Sequence, residues 1–429
     1  MDSADRVPVA GGRRGTVRKI IAAVVMVPAL VSAMMAAPSA AGATTPRAAA
    51  PPVRPAAGPV RPAGASSWNN LYSVACPGRD VCVAVGAKSS GVLAEVWNGT
   101  AWRIVTVPEP KGGTSSQLNS VSCVAAGACT AVGYYYIGIR QLPLAEVWNG
   151  TAWRVQAIPR PAGPPGHDMT SLNGVACTSR AACAAVGWYL NTSSVLVTLA
   201  EVLDGTSWKI TPTPNPRGYG GPSFLLSGVS CTAADACQAV GDWEGFTSGA
   251  VGATLAEVWN GTTWKLQPIP NPKSYGGGIL QGVSCSGPAS CAAVGNYDTP
   301  GGSTLALAEG WTGKAWVIRP VPAPAPARTA GTYLNGVSCH TAAACIAVGE
   351  YLKLFSDTNV ALAERWDGRS WRRLVPVTPG YRAILDAVVC PRADRCVAVG
   401  QYYNLAGAGF TLAEAWNGTT WTVQPTPNP

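Results

Sequence analysis

Apolar residues along the chain come in short runs separated by turn residues, and from about residue 68 the same order of runs recurs. One copy shows the pattern. Leu226–Cys231 (LSGVSC) and Cys237–Gly241 (CQAVG) are small and apolar, as expected of strands covered on both faces. Leu255–Trp259 (LAEVW) is a third strand candidate. A fourth begins at Trp264 and alternates, Trp264 and Leu266 against Lys265 and Gln267, which predicts an outer strand with one wet face. It runs into Pro268 and Pro270, which an edge strand tolerates. Asn-Gly or Asp-Gly joins the third and fourth runs in six copies, as at Asn260-Gly261 and Asp204-Gly205, and predicts type I′ hairpin turns.

Cysteine fixes the count of copies. All 14 cysteines fall into C-x5-C pairs: Cys76/Cys82, Cys123/Cys129, Cys177/Cys183, Cys231/Cys237, Cys285/Cys291, Cys339/Cys345 and Cys390/Cys396. Four antiparallel strands in each of seven units of about 50 residues predict an all-β, seven-bladed β-propeller over 68–429. Each pair faces across the turn between the first two strands, within disulfide reach. Zinc is the rival reading, but each pair would need two further ligands and the chain has 2 His. One disulfide per blade, no free thiol and no metal site are therefore expected, each short loop contributing at most about 2–3 kcal/mol.

Glu95, Glu146, Glu201, Glu257, Glu309, Glu364 and Glu414 hold one place in every copy, as do the tryptophans that open the fourth strand, Trp102 to Trp421. Sevenfold repetition reads as architecture, because an active site gathers a few residues in one asymmetric cavity. The Asn-Gly-Thr sequons at Asn98, Asn149, Asn260 and Asn417 follow from the turn itself. The disulfide turns and the Asn-Gly turns share one face and are uniform. The other face carries the links after each Ala-Val-Gly, which differ in length, and a rigid scaffold with varied loops is a usual way to build a binding site. Those links are aromatic. Tyr135, Tyr189, Trp243, Tyr297, Tyr351 and Tyr402 stand two residues after the glycine, with Tyr134, Tyr136, Trp188, Phe246, Phe355 and Tyr403 nearby. The repeated position is expected to pack between blades. The ligand-contact candidates are Tyr134, Tyr136, Trp188, Trp243, Phe246, Tyr297, Tyr351, Phe355, Tyr402 and Tyr403, since flat apolar faces with polar tips suit sugar rings or peptide side chains.

Composition narrows the class. Of 429 residues, 47% are hydrophobic and 12% charged, with 49 Gly and 36 Pro: too apolar for disorder, too interrupted for long helices. The formal charge of +9 suggests nucleic acid until the first 64 residues are set aside, which leaves about +3. Arg13, Arg14, Arg18 and Lys19 precede an apolar stretch from Ile20 to about Ala37 and small residues at 38–43, so 1–43 reads as an export signal. Residues 44–67, rich in Pro and Ala, read as an extended spacer. The expectation is a secreted or cell-envelope monomer, with no nucleic-acid partner and no membrane segment after cleavage.

The Ala-Val-Gly strand ends and the later E-x-W-N-G-T-x-W run resemble the kelch repeat, in which a hydrophobic strand ends in glycine and aromatics follow at set distances. The match is closer to secreted bacterial propellers with GVSC/AVG/LAEVWNG repeats, a group that implies no particular activity. The function expected is a non-catalytic binding module, without cofactor, for a glycan, peptide or envelope partner. The alternative is a propeller glycoside hydrolase or lyase using loop carboxylates among Asp242, Glu244, Asp298, Glu350 and Asp357. A copper oxidase on a kelch scaffold is a poor match, because His167 and His340 lie far apart and every cysteine has a partner. First and last copies each hold a full set of strands, so the ring is expected to close by packing, without strand exchange.

Overall fold

The computed structural model describes residues 68–216, 223–244, 252–272, 277–324, 329–354, 356 and 358–429. The expected leader (1–43) and spacer (44–67), together with Phe246, Phe355 and Asp357, lie outside the described residues. The described residues are all-β, with 28 strands in chain order falling into seven antiparallel groups of four. In the first group β1 (Asn69–Ala75), β2 (Cys82–Lys88), β3 (Gly91–Trp97) and β4 (Trp102–Ile104) pair in that order from inside outward. A single parallel bridge, Thr304 to Gly331, links the fifth and sixth blades into one ladder.

The core lies between blades. Each apolar cluster mixes two neighbours, as where Val186 and Ala200 of the third blade meet Leu226, Ala239, Trp259 and Trp264 of the fourth. Middle strands are covered on both faces, so Val83, Ala84 and Val85 are fully buried. At four junctions the fourth-strand tryptophan bonds across with its indole N–H, Trp264 reaching Thr211 Oγ1 at 3.1 Å. Trp102 donates to Gln424 (3.1 Å), Trp208 to Gln156 (2.9 Å) and Trp316 to Gln267 (2.9 Å). The expected alternation along the outer strand stops at this tryptophan: Leu266 is 40% exposed, as are Ile104 and Val423 to a similar degree. Blades radiate from an axis, so the gap between neighbours widens outward and the rim is left uncovered.

All seven disulfides form within their own blades: Cys76–Cys82, Cys123–Cys129, Cys177–Cys183, Cys231–Cys237, Cys285–Cys291, Cys339–Cys345 and Cys390–Cys396. Their Cα–Cα distances run from 3.9 Å, as in Cys177–Cys183, to 4.1 Å, as in Cys76–Cys82. The pairing is the expected one, with each pair at the facing ends of the first two strands, and the second partner is in addition a core residue. Cys82, Cys129, Cys183, Cys237, Cys291, Cys345 and Cys396 are all buried, because each stands first or second in a second strand that neighbouring blades cover. Cys129 packs with Val83 and Val85 of the first blade, Cys291 with Val240 of the fourth, and Cys345 with Val294 of the fifth. These cysteines hold the core together.

The turn between the third and fourth strands departs from the type I′ expectation, which needs positive φ at both central residues. Only the glycine has it, Gly99 at φ 93° and Gly261 at φ 91°. The asparagine instead caps a four-residue loop. Asn98 Oδ1 accepts from Thr100 N (3.0 Å), Thr100 Oγ1 (2.8 Å) and Ala101 N (2.9 Å), and Trp97 packs on Trp102 across the loop (centroids 5.8 Å).

Every first strand carries a bulge, with the ladder skipping one residue at Tyr72, Asn119, Asn173, Ser227, Gln281, Asn335 and Asp386. The bulge swings a backbone carbonyl over the glycine of Ala-Val-Gly. A Cβ on Gly241 would lie 1.9 Å from Leu225 O, and one on Gly86 2.0 Å from Asn70 O. This explains the repeated glycine physically: nothing larger fits under the bulge. Gly241→Ala is expected to destabilise the protein by about 3 kcal/mol through forced backbone movement, read as a lower denaturant midpoint. An unchanged midpoint would contradict the close approach.

The ring closes by packing among the described residues. The first and last blades each supply their own four strands. Leu71, Val74, Leu93 and Trp102 meet Val397, Val399 and Ala413 in one buried cluster, and Asn69 Nδ2 donates to Gly409 O at 3.3 Å.

Candidate functional site

The seven bulges do more than bend the inner strands. They turn one polar side chain per blade toward the axis, where the first strands enclose a cavity of about 660 Å³. Its wall holds the ring Tyr72, Asn119, Asn173, Ser227, Gln281, Asn335 and Asp386, with Gln117, Tyr134 and Ser171 toward the face that carries the links after Ala-Val-Gly. Small residues follow each bulge because the neighbouring inner strand is close. A Cβ on Gly336 would lie 2.9 Å from Asp386 O, and one on Gly228 3.2 Å from Gln281 O.

Part of the ring holds the blades together. Asn119, Asn173 and Asn335 each donate through Nδ2 to a leucine carbonyl of the next blade, Leu172 (2.8 Å), Leu226 (3.0 Å) and Leu385 (3.1 Å). The serine of Gly-Val-Ser-Cys or its counterpart does the same lower down, accepting from the next blade's cysteine N–H, as Ser230 from Cys285 (3.0 Å) and Ser284 from Cys339 (2.9 Å).

The aromatic candidates divide. Tyr135, Tyr189, Tyr297, Tyr351 and Tyr402, at the repeated position, pack on the cluster shared with the preceding blade. Arg373 lies over Tyr351 (5.0 Å), and Phe410 stacks on Tyr402 (5.2 Å). Trp188 and Trp243 are half-buried on their second strands, opposite Ser171 and Phe224 respectively. Tyr134 lines the cavity, donates to Gln117 Oε1 (3.2 Å) and stands edge-on to Tyr136 (5.7 Å), whose hydroxyl donates to Gln141 Oε1 (2.9 Å). Tyr403 donates to Gln401 Oε1 at 3.2 Å. These side chains stand mostly on strand: β6 (Ala128–Ile137) and β7 (Arg140–Trp148) run on past the glycine, leaving a two-residue link. The ladder continues because nothing interrupts backbone pairing until the hairpin tip.

Burial raises the Tyr72 hydroxyl far above its ordinary range, with the nearby Asp386, Tyr134 and Tyr403 adding to the effect and Asn70 opposing it. Tyr72 and Tyr134 both line the cavity, and Tyr403 of the last blade lies close enough to Tyr72 to act on it. Burial also raises Tyr134 and Tyr403, so all three remain protonated donors at neutral pH. Asp386 is raised to about 7, first by burial, against a hydrogen bond from the Asn70 side chain and with Glu350 adding repulsion. Glu350 is raised by burial and accepts from Asn359 Nδ2. Asp242 is buried and raised to about 7 by burial and Glu244.

The repeated glutamates stand apart from the mouth, fully buried at the blade junctions. Glu95 lies by Thr411 of the last blade and Glu257 by Thr198 of the third, and Glu414 accepts from Val377 N at 2.9 Å. Among the described residues no three His, Cys, Asp or Glu gather as a metal-binding group, and no helix is long and apolar enough to cross a membrane.

Tyr72, Asp386 and the rest of the ring are not among the candidates that the sequence offers. Their signal is present: every first strand has a polar residue between a leucine and a small residue, as in Leu118-Asn119-Ser120 and Leu385-Asp386-Ala387. Without the bulge, strand alternation does not show which side such a residue takes.

No protein-family model matches the sequence, and no curated protein matches it. Solved structures match in fold. A polysaccharide lyase, an ulvan lyase bound to -[GlcA(1-4)Rha3S]-, aligns with TM-score 0.50 and 9% identity over 82% of this chain and 94% of its own. The β-propeller domain of the Trilobed protease from Pyrococcus furiosus aligns with TM-score 0.46 and 7% identity, over 85% of this chain and 99% of its own. YCF48 from Cyanidioschyzon merolae aligns with TM-score 0.43 and 13% identity, over 77% and 92%. At such identities the likeness is one of architecture: the chain is a seven-bladed β-propeller with one disulfide in each blade.

Proposed function

We propose that the chain is an exported, non-catalytic binding module that takes a glycan at the mouth of its central cavity. The observation that carries this reading is the convergence at one cavity of two tyrosines, Tyr72 and Tyr134, with Tyr403 near Tyr72, and a polar ring that takes amides or hydroxyls from six blades and a carboxyl, Asp386, from the seventh. Sugars need both: a flat apolar face for the ring's C–H side and donors and acceptors for its hydroxyls. The ulvan lyase supports the glycan class over a peptide or an envelope protein, since a related architecture was found with a saccharide bound. Seven disulfides and the basic–apolar–small order of residues 1–43 support export. The glycine under each bulge and the later tryptophans support a kelch-like origin for the repeat.

A glycan array probed with the exported protein, followed by titration of the best ligand, tests the reading. Tyr134→Ala is expected to weaken binding about fivefold to tenfold, the loss of one stacking face, with the melting temperature unchanged. A blank array, or a ligand seated over the Cys-x5-Cys turns, would sink it.

A further inference from the structure

The seventh position of the polar ring is chemically unlike the others. Asparagine stands at three of the seven places, and each uses its Nδ2 to bond a carbonyl of the next blade. Asp386 has no such donor when ionised, and its Oδ2 is shut off from solvent with no partner among the described residues. The architecture would be served better by an amide there. Asp386 is also the one acidic or basic side chain among the described residues that line the cavity. The charged and titratable groups bearing on it are Tyr72, Tyr403 and Glu350, with Arg382 acting on Tyr403 and Glu350. Glu350 reinforces the negative field at Asp386.

We infer that the mouth selects saccharides bearing a free, protonated primary amine, with Asp386 as the counter-charge and Tyr72 and Tyr134, with Tyr403 near Tyr72, as the stacking face. The inference rests on the glycan reading above and narrows it. An ammonium has three donors and no acceptor. One meets the carboxylate of Asp386, whose covered Oδ2 must turn toward the mouth to receive it, and the side-chain carbonyls of the ring, such as that of the exposed Gln281, receive the others. The faces of the tyrosines add attraction for a cation, which a neutral sugar does not gain. An acidic sugar finds no cation among the described lining residues. An amine bound here would also reverse the effect of burial on Asp386, bringing its carboxyl below the raised value of about 7.

Calorimetric titration of the exported protein with a glucosamine tetramer and with its fully N-acetylated counterpart at about pH 6 provides the test, where the amine is charged. The expected result is at least about tenfold tighter binding of the free amine. Asp386→Asn, which installs the side chain of the second, third and sixth blades, is expected to erase the preference without lowering the melting temperature. Asp386→Ser, copying Ser227 of the fourth blade, is a second variant should the first fold poorly. Equal affinity for the two tetramers, or a preference that survives both variants, overturns the inference and leaves the glycan reading standing. Failure of both tetramers overturns the inference. It overturns the broader reading too only if a full glycan array is also blank. Binding of a lysine-rich peptide in place of the amine sugar overturns it in favour of a protein ligand.

Discussion

Raising the pH from about 5 to about 8.5 should lower the melting temperature substantially, opposite to the behaviour of proteins held by ionised, paired carboxylates. The cause is the row of junction glutamates. Glu95, Glu146, Glu201, Glu257, Glu309, Glu364 and Glu414 are each raised from 4.5 to about 8, with burial the first cause in every case. The folded state therefore holds these protons more tightly than the unfolded chain. Their stabilising contribution is complete below the unfolded value near 4.5 and is lost as pH rises through about 8. A tenfold change in proton affinity corresponds to about 1.4 kcal/mol, so even a fraction of the effect at each site is large against a net stability of about 5–15 kcal/mol. Thermal unfolding followed by circular dichroism across this range is the measurement. Glu257→Gln keeps the shape and removes the ionisation, so it should gain about 1–3 kcal/mol at pH 8.5 and little at pH 5. A flat profile, or a Gln variant equally altered at both pH values, contradicts the account.

Reduction of the disulfides should unfold the protein near physiological temperature. Each bridge joins cysteines 6 residues apart, a loop worth about 2 kcal/mol in the unfolded chain. Seven such loops sum to on the order of ten kcal/mol, the size of the whole net stability. The second cysteines are deeply buried, as Cys396 at 0%, Cys345 at 2% and Cys129 and Cys291 at 3% exposure, so reductant acts on opened blades and the loss is slow in the cold. Melting curves with and without reductant, with thiol counting to establish complete reduction, read the effect. Before reduction, denatured protein should show almost no thiol. Replacing Cys231 and Cys237 together by serine should cost about 2 kcal/mol and leave the other blades intact. A fully reduced protein that melts at the native temperature would show that blade packing alone holds the ring.

The repeat itself, the blade number, the pairing of every cysteine, the structural role of the Glu row and the packing of the Trp row are properties of sequence. Each rests on interactions within one unit of about 50 residues, or on seven identical neighbours, and local period and spacing encode both. Packing of the repeated tyrosines between blades belongs with them. Which cysteine of a pair is covered does not: Cys129, Cys291 and Cys345 are core residues because another blade lies over the start of their strand. The hairpin type is not legible either, since Asn98 and its equivalents cap the loop through a side chain, in place of positive φ at two residues. Leu266 departs from the inward side because alternation describes a strand and not how far its neighbour has diverged. The candidate site depended most on tertiary structure. Tyr72, Asn119 and Asp386 are as far apart along the chain as 72 is from 386, and only a sevenfold rotation brings them to one axis. Their direction is set by a bulge that no residue spacing announces, although the glycine beneath it is visible in every copy.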